Sequence, residues 1–234
     1  MKIAVLSDIH GNSIALSAVL KEIKDAGIRH ILVLGDIVGY YYHPDEVLKQ
    51  LESFETTMIR GNHETLLEEA QGNSEIEERL HIRYGSGISE ALKKLSPAQI
   101  DTLLSLPEKR SVEISGMAFL LCHGSPSKND EYVYPDADEQ KLKECAIEGV
   151  DMVLMGHTHY PMLKAVGKTT LLNPGSVGQP RDIGSSASWA IIDTVGRSAE
   201  LRRTPFDAGS VVNEVRAIDP QNLYLAEVLL RKRT

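Results

Sequence analysis

The chain has 234 residues, 33 acidic against 25 basic side chains, a formal charge of −8 and two cysteines. That length suits one domain large enough to bury a core without disulfide staples, and Cys122 and Cys145 are too few for a disulfide framework, which fits a reduced, cytoplasmic setting. The acidic balance excludes a general nucleic-acid binder, which needs a positive field to displace counterions, and the first apolar run, Ile3–Leu6, is too short for a signal-peptide core or a membrane span.

Residues 2–7 predict a short buried strand. Asn12 or Ser13 caps a helix whose Leu16, Val19, Leu20 and Ile23 share one face and which Gly27 closes. Ile31–Leu34 is a second apolar run, ending at Gly35-Asp36. Pro44 opens a second helix with Val47, Leu48 and Leu51 on one face. Thr56–Arg60 predicts a third strand. This β-α-β-α-β order argues a parallel sheet. Residues 64–110 change character: glutamate is dense, and Ile88, Leu92, Leu95, Ile100, Leu103 and Leu104 recur at helical spacing, which predicts a helical insertion or cap. Strands resume at 112–115 and 117–122, split by Ser115-Gly116. A helix near 138–147 and a strand at Met152–Met155 follow. Runs at 162–166, 169–172, 187–193 and 198–203 have the pattern of antiparallel strands and predict a second sheet packed on the first. Residues 207–232 predict one or two helices, with Arg231-Lys232-Arg233 as a cationic helix end. No repeat or linker interrupts the chain, so 1–234 is expected to be a single domain.

Each core strand ends in residue types that bind metals: Asp8-Ile9-His10, Gly35-Asp36, Gly61-Asn62-His63-Glu64, Cys122-His123-Gly124 and Gly156-His157-Thr158-His159. Parallel strands deliver their carboxyl ends to one edge, where α/β sheets bind ligands. The steps from Asp8 to Asp36 to Asn62 each span one β-α unit. Asp8 and His10 stand two positions apart, as do His157 and His159, a spacing that lets both members of a pair face one point. Together the imidazoles of His10, His123, His157 and His159, the carboxylates of Asp8 and Asp36 and the amide of Asn62 form a mixed N/O set that suits Mn, Fe, Zn, Ni or Co. Seven donors exceed the four that one tetrahedral ion needs, which argues two ions, the clamp of phosphoryl-transfer chemistry.

In that order the five motifs resemble the calcineurin-like metallophosphoesterase superfamily, across residues 8–159. Asn173-Pro174-Gly175-Ser176-Val177 and Gln179-Pro180-Arg181 extend the likeness toward its small bacterial and archaeal phosphodiesterase branch. The resemblance implies an α/β fold, a four-layer α/β/β/α sandwich of two mixed sheets with flanking helices. It implies that Asp8, His10 and His159 hold one divalent transition-metal ion, that Asn62, His123 and His157 hold a second, and that Asp36 bridges both, with manganese the leading metal. Its activity is hydrolysis of a small phosphoester, a phosphodiester or a phosphomonoester, by a metal-bridging hydroxide. The resemblance implies that His63 binds no metal and sits over the substrate, as general acid if it is imidazolium or as a hydrogen-bond donor to a phosphate oxygen, and Glu64 either orients it or is a plain first-turn helix acid. Dinucleoside polyphosphate hydrolysis is the alternative within this class. A metal-free interaction scaffold of the same fold is the alternative outside it, disfavoured because all seven ligand positions and His63 are present. A Rossmann-type nucleotide site is set aside, because the first β-α turn lacks Gly-x-Gly-x-x-Gly.

Around this set, Asn173–Ser176 reads equally as a phosphate cradle and as a Pro-Gly turn. Arg181 is a phosphate contact or a surface salt bridge. Tyr40 and its neighbours Tyr41 and Tyr42 either stack on a flat substrate group or pack a loop. His30 and His81 are expected to be structural or solvent-facing, His43 to lie near the site outside the ligand pattern, and Cys122 to be a small buried hydrophobe. No membrane association is expected, and an oligomer is left open.

Overall fold

A computed structural model describes residues 1–232, so Arg233 lies outside the described residues. The first quarter alternates β1 (Lys2–Leu6), α1 (Ser13–Asp25), β2 (His30–Val33), α2 (Pro44–Leu51) and β3 (Glu55–Met58). Residues 3–6 of β1 are all buried, as a parallel strand covered on both faces requires. Asn12 caps α1 by accepting from the Ala15 N–H at 3.0 Å, and α1 buries Leu16, Val19, Leu20 and Ile23. Strand β1 pairs parallel with β2, and β2 with β3.

Four helices follow, α3 (Asn62–Ala70), α4 (Ser74–Tyr84), α5 (Gly87–Lys94) and α6 (Pro97–Leu104). They are not a detached cap. Leu80, Ile88, Ala91, Leu95, Ile100 and Leu103 bury into the same core as α1 and α2, so the stretch completes the helical layer on the first sheet. The hairpin β4 (Lys109–Ile114) and β5 (Met117–Cys122) turns at Ser115 and Gly116, both at positive φ. Then come α7 (Glu139–Cys145), β6 (Met152–Leu154), β7 (Met162–Val166), β8 (Thr169–Asn173), β9 (Ser186–Asp193), β10 (Ser198–Pro205), α8 (Ala208–Ile218) and α9 (Leu223–Glu227).

Two five-stranded sheets result, ordered β10-β9-β1-β2-β3 and β4-β5-β6-β8-β7. Here the sequence expectation is corrected. The runs at 187–193 and 198–203 do not share a sheet with 162–172. Strand β9 pairs antiparallel with β1, Ile3 against Ile192 and Val5 against Ala190, and extends the first sheet. Alternating hydrophobicity fixes which face of a strand is buried but not which strand it pairs with. The second sheet is built from the hairpin, β6 and the β7–β8 pair.

The layers are those of an α/β/β/α sandwich. One core packs α1–α6 on the outer face of the first sheet. Ile3, Val5, Leu32, Phe119, Leu154 and Ile192 meet between the sheets. Val153, Leu171, Leu142 and Cys145 join the second sheet to α7. Among the described residues no helix is long and apolar enough to cross a membrane. The basic end is not a plain helix terminus: Arg231 and Lys232 follow a short 3₁₀ turn (Val228–Leu230) and line a cavity.

Candidate metal centre

The exit loops of β1 and β2 keep hydrogen-bonding beyond the strands. The Asp8 N–H donates to Gly35 O at 3.2 Å, His10 N–H to Asp36 O at 2.9 Å and Gly11 N–H to Ile37 O at 2.8 Å. The exits of β5 and β6 are tied likewise, Gly156 N–H to His123 O at 2.7 Å. The two sheets meet at Asp8, whose Oδ2 accepts the His157 N–H at 3.1 Å. These ties bring the separated motifs to one place. In each of the trios Asp8–His10–His159, His10–Asp36–His63 and Asp36–His123–His157, the ligand-type atoms all lie within 4.8 Å of one another. Asn62 joins through its Oδ1, 3.0 Å from His123 Nε2. All seven predicted ligand positions therefore converge, and His63 stands with them.

The rings are held by their far nitrogens. The Nδ1 of His10 meets Val38 O at 3.0 Å, that of His123 meets Leu34 O at 2.7 Å and that of His159 meets Gln179 O at 2.7 Å. A carbonyl only accepts, so each Nδ1 carries hydrogen and each Nε2 points inward, the support that metal-binding histidines generally have. There, His10 Nε2 lies 3.2 Å from His159 Nε2. His159 Nε2 lies 3.3 Å from Asp8 Oδ1, and Asp36 Oδ2 lies 3.7 Å from His10 Nε2 and 3.2 Å from His123 Nε2. Acceptor atoms this close are stable only with positive charge among them, a proton on some rings or a cation at the centre. The buried Asp8 Oδ1 and His157 Nε2 have no hydrogen-bond partner. The donor set and these two free atoms fit divalent ions.

Charge partitions accordingly in the protein without metal. Burial works against ionisation of Asp8 and Asp36, but His159 beside Asp8 and His123 beside Asp36 hold both carboxyls well below the usual range. Burial also opposes the charge on His123, yet Asp36 outweighs it and pushes the imidazole up to about 10. His10 is driven well below its ordinary value by burial and by His63. For His157 burial and the charge on His123 lower the value to about 4.

Backbone carries the rest. Asp36 Oδ1 accepts the His63 N–H in the first turn of α3 at 2.8 Å, which leaves Oδ2 to the histidines. Glu64 is fully buried. It accepts N–H groups of Asp36 at 2.9 Å, Ile37 at 2.8 Å, Val38 at 3.2 Å and Gly61 at 2.8 Å. It is neither a surface helix acid nor a partner of the His63 ring; it clamps the Asp36 loop to the start of α3. Two glycines make the approach feasible: a Cβ on Gly61 would strike Asp36 Oδ1, and one on Gly39 would strike the His63 ring.

His63 is buried, its Nδ1 is unpartnered, and burial with His159 and His123 lowers its value to about 4. It is a neutral imidazole at neutral pH, which of its two expected roles favours the hydrogen-bond donor over the imidazolium acid. Asn173 and Ser176 are also corrected. The Asn173 amide donates to Gly156 O at 2.6 Å and accepts from Gly175 N at 2.8 Å. The Ser176 hydroxyl donates to Asp8 O and accepts from Gln179 N, both at 2.7 Å. Both are buried and saturated, so they brace the ligand loops instead of cradling a phosphate.

Of the three tyrosines, Tyr41 and Tyr42 are buried under the C-terminal helices. Tyr41 Oη donates to Leu225 O at 3.1 Å and Tyr42 Oη to Asp219 at 2.9 Å, so neither stacks on a substrate. Tyr40 stands edge-on to His10 with centroids 4.5 Å apart, and Arg181 donates to its hydroxyl at 3.4 Å. Arg181 makes no salt bridge among the described residues. His43 pairs with Glu214, His30 lies against Thr57 and His81 faces Asp219. Cys122 is a free, buried thiol. Three aromatics went unforeseen. Tyr84 lies 5.4 Å from His63. Tyr132 lies 4.1 Å from His157, and Tyr134 stacks on Tyr132 at 5.6 Å with both rings well exposed. The only sequence signal for Tyr132 and Tyr134 was tyrosine at alternate positions in a loop after a ligand strand, and Tyr84, at the end of α4, had none.

A family model, the calcineurin-like phosphoesterase superfamily domain, matches residues 1–197. An uncharacterized protein of Methanocaldococcus jannaschii is 32% identical over 223 residues, 88% of each chain. A phosphodiesterase of Escherichia coli K12 is 24% identical over 204 residues, 82% of this chain and 88% of that one. The crystal structure of a metallophosphoesterase from Sphaerobacter thermophilus superposes with a TM-score of 0.78 at 24% identity, over 97% of this chain and 99% of that one.

Proposed function

The chain belongs to the calcineurin-like phosphoesterase superfamily, and from that premise we propose that it is a metal-dependent phosphoric ester hydrolase acting on phosphodiester bonds, with phosphomonoesters as secondary substrates. The observation that carries this reading is the convergence of imidazoles and two carboxylates on one buried point, with the Nδ1 atoms of His10, His123 and His159 tied to backbone carbonyls.

Asp8, His10 and His159 would hold one divalent ion, Asn62, His123 and His157 a second, and Asp36 both; the mixed N/O donors suit Mn, Fe, Zn, Ni or Co, and manganese is our choice on the family likeness. When bound, such a pair supplies Lewis acidity toward phosphoryl oxygens and brings the pKa of water toward neutrality. The rest falls to the chain. Glu64 and the His63 N–H fix Asp36 before substrate arrives, so little reorganisation remains for the reaction itself. The neutral His63 ring donates an N–H hydrogen bond to a phosphoryl oxygen or to the departing oxygen. Neutral as it is, the ring keeps its proton, and the departing oxygen takes its proton from solvent. The rings of Tyr132 and Tyr134 keep one wall of the site apolar and exposed, suited to an aromatic or sugar leaving group.

Metal analysis of the purified protein, followed by turnover of bis(p-nitrophenyl) phosphate, tests the reading. Two divalent ions per chain are expected, with turnover that a chelator abolishes and Mn²⁺ restores. A protein that takes up no divalent metal and stays inactive with Mn²⁺, Zn²⁺, Ni²⁺, Co²⁺ or Fe²⁺ would be a scaffold of this fold and not an enzyme.

A further inference from the structure

A cavity of about 960 Å³ is lined by Tyr160, which follows the predicted ligand His159, and by Arg181, Asp182, Arg203, Arg231 and Lys232 among others. Four of those side chains are basic and one is acidic, in a chain whose formal charge is −8. Arg203 is paired with Asp182. That leaves Arg181, Arg231 and Lys232, none of which makes a salt bridge among the described residues. The Nε of Arg181 is buried with no acceptor, and among the described residues its one side-chain bond is the long contact to the Tyr40 hydroxyl at 3.4 Å. Arg231 donates to Arg181 O at 3.3 Å and lies 5.4 Å over the Tyr224 ring, so it is held beside Arg181 without being neutralised.

Two of the cavity's lining residues connect it to the centre. Tyr160 follows the ligand His159 directly and lies 6.0 Å from Tyr134, which continues the Tyr132 face beside His157. Arg181 reaches the centre through Tyr40, whose ring touches that of His10. Unneutralised guanidinium groups in a concave site are built for phosphate oxygens, which accept their paired N–H bonds.

We propose that this cavity binds a second phosphoryl group of the substrate, so that the preferred phosphoester carries a phosphate beyond the one that is cleaved. The proposal rests on the hydrolase reading for the first phosphate. Charge-assisted bonds from two arginines would favour such a substrate by at least about tenfold.

The test compares the p-nitrophenyl ester of thymidine 5′-phosphate with the same ester carrying a 3′-phosphate, using Mn²⁺-loaded protein. The expected result is a kcat/KM at least about tenfold higher for the 3′-phosphorylated ester, with that preference lost in Arg181→Gln and in the exposed double variant Arg231→Gln/Lys232→Gln. Equal kcat/KM for the two esters in the unmodified protein, or a preference that survives both variants, overturns the proposal. If neither ester is hydrolysed the hydrolase reading fails, and calorimetry decides the cavity. Thymidine 3′,5′-bisphosphate should then bind about tenfold more tightly than thymidine 5′-phosphate, and the gain should vanish in the variants. Equal binding overturns the proposal by that route too.

Discussion

Six of the eight non-glycine residues with positive φ stand at the metal edge, namely Asp8, His10, Asp36, Tyr40, His157 and His159, while α3–α6 contain none among the described residues. A left-handed residue other than glycine costs roughly 1–2 kcal/mol, so the edge carries local strain that long-range bonds must hold in place. The helices between Asn62 and Leu104 follow local rules instead. Asn73 caps α4, and Ser96 with Gln99 forms a capping box at α6, with Pro97 at its first position. One region is shaped by tertiary contacts against local preference; the other agrees with local preference throughout.

That contrast sets the size of the expected effects. Asp36→Asn should be the most damaging change, because it removes charge from the one carboxylate proposed to hold both ions. Turnover of bis(p-nitrophenyl) phosphate should fall by more than the roughly 10–100-fold typical of outer-shell losses, with bound metal reduced as well. Second is the response to pH. His123, raised to about 10 in the metal-free protein, is protonated at neutral pH and must lose that proton to become a ligand. Metal affinity should therefore climb about tenfold per pH unit through neutrality. Calorimetry at about pH 7 in buffers of different ionisation enthalpy should report a proton released on loading, and an enthalpy independent of buffer would contradict the assignment.

Glu64→Gln sharpens the comparison further. The amide sets an NH₂ against the backbone donors that clamp the Asp36 loop, so denaturation should show a loss of about 1–3 kcal/mol, together with lower turnover. Stability lost without any change in turnover would mean that the loop does not need its clamp. Smallest is Ser96→Ala, which removes a cap from α6 and should cost about 1 kcal/mol while leaving turnover as it was. A large activity loss there would show that the helical stretch is coupled to the chemistry.

Legibility followed the same division. The amphipathic spacing of Ile88, Leu95, Ile100 and Leu103 was readable because each helix is specified by nearby residues, and the structure buries all four. The convergence of the predicted ligand positions was readable for another reason: each follows a strand, and β-α units carry strand ends to one edge. The partner of β9 was not readable, since the alternation in 187–193 is equally compatible with either sheet. Nor were the fates of Asn173 and Ser176, whose hydrogen bonds are consumed by Gly156, Gly175, Asp8 and Gln179 at distances no local pattern encodes. The state of His63 depended on a burial that only the packed loops create, and Tyr132 and Tyr134 joined the site through a loop with no motif of its own.

Crystals grown with Mn²⁺ and measured at the manganese absorption edge test the central claim most directly. Two anomalous peaks should flank the Asp36 carboxylate, one within coordinating distance of Asp8, His10 and His159 and the other of Asn62, His123 and His157. A map with no peak at Asp36, from crystals in which these side chains hold the positions described, would contradict it.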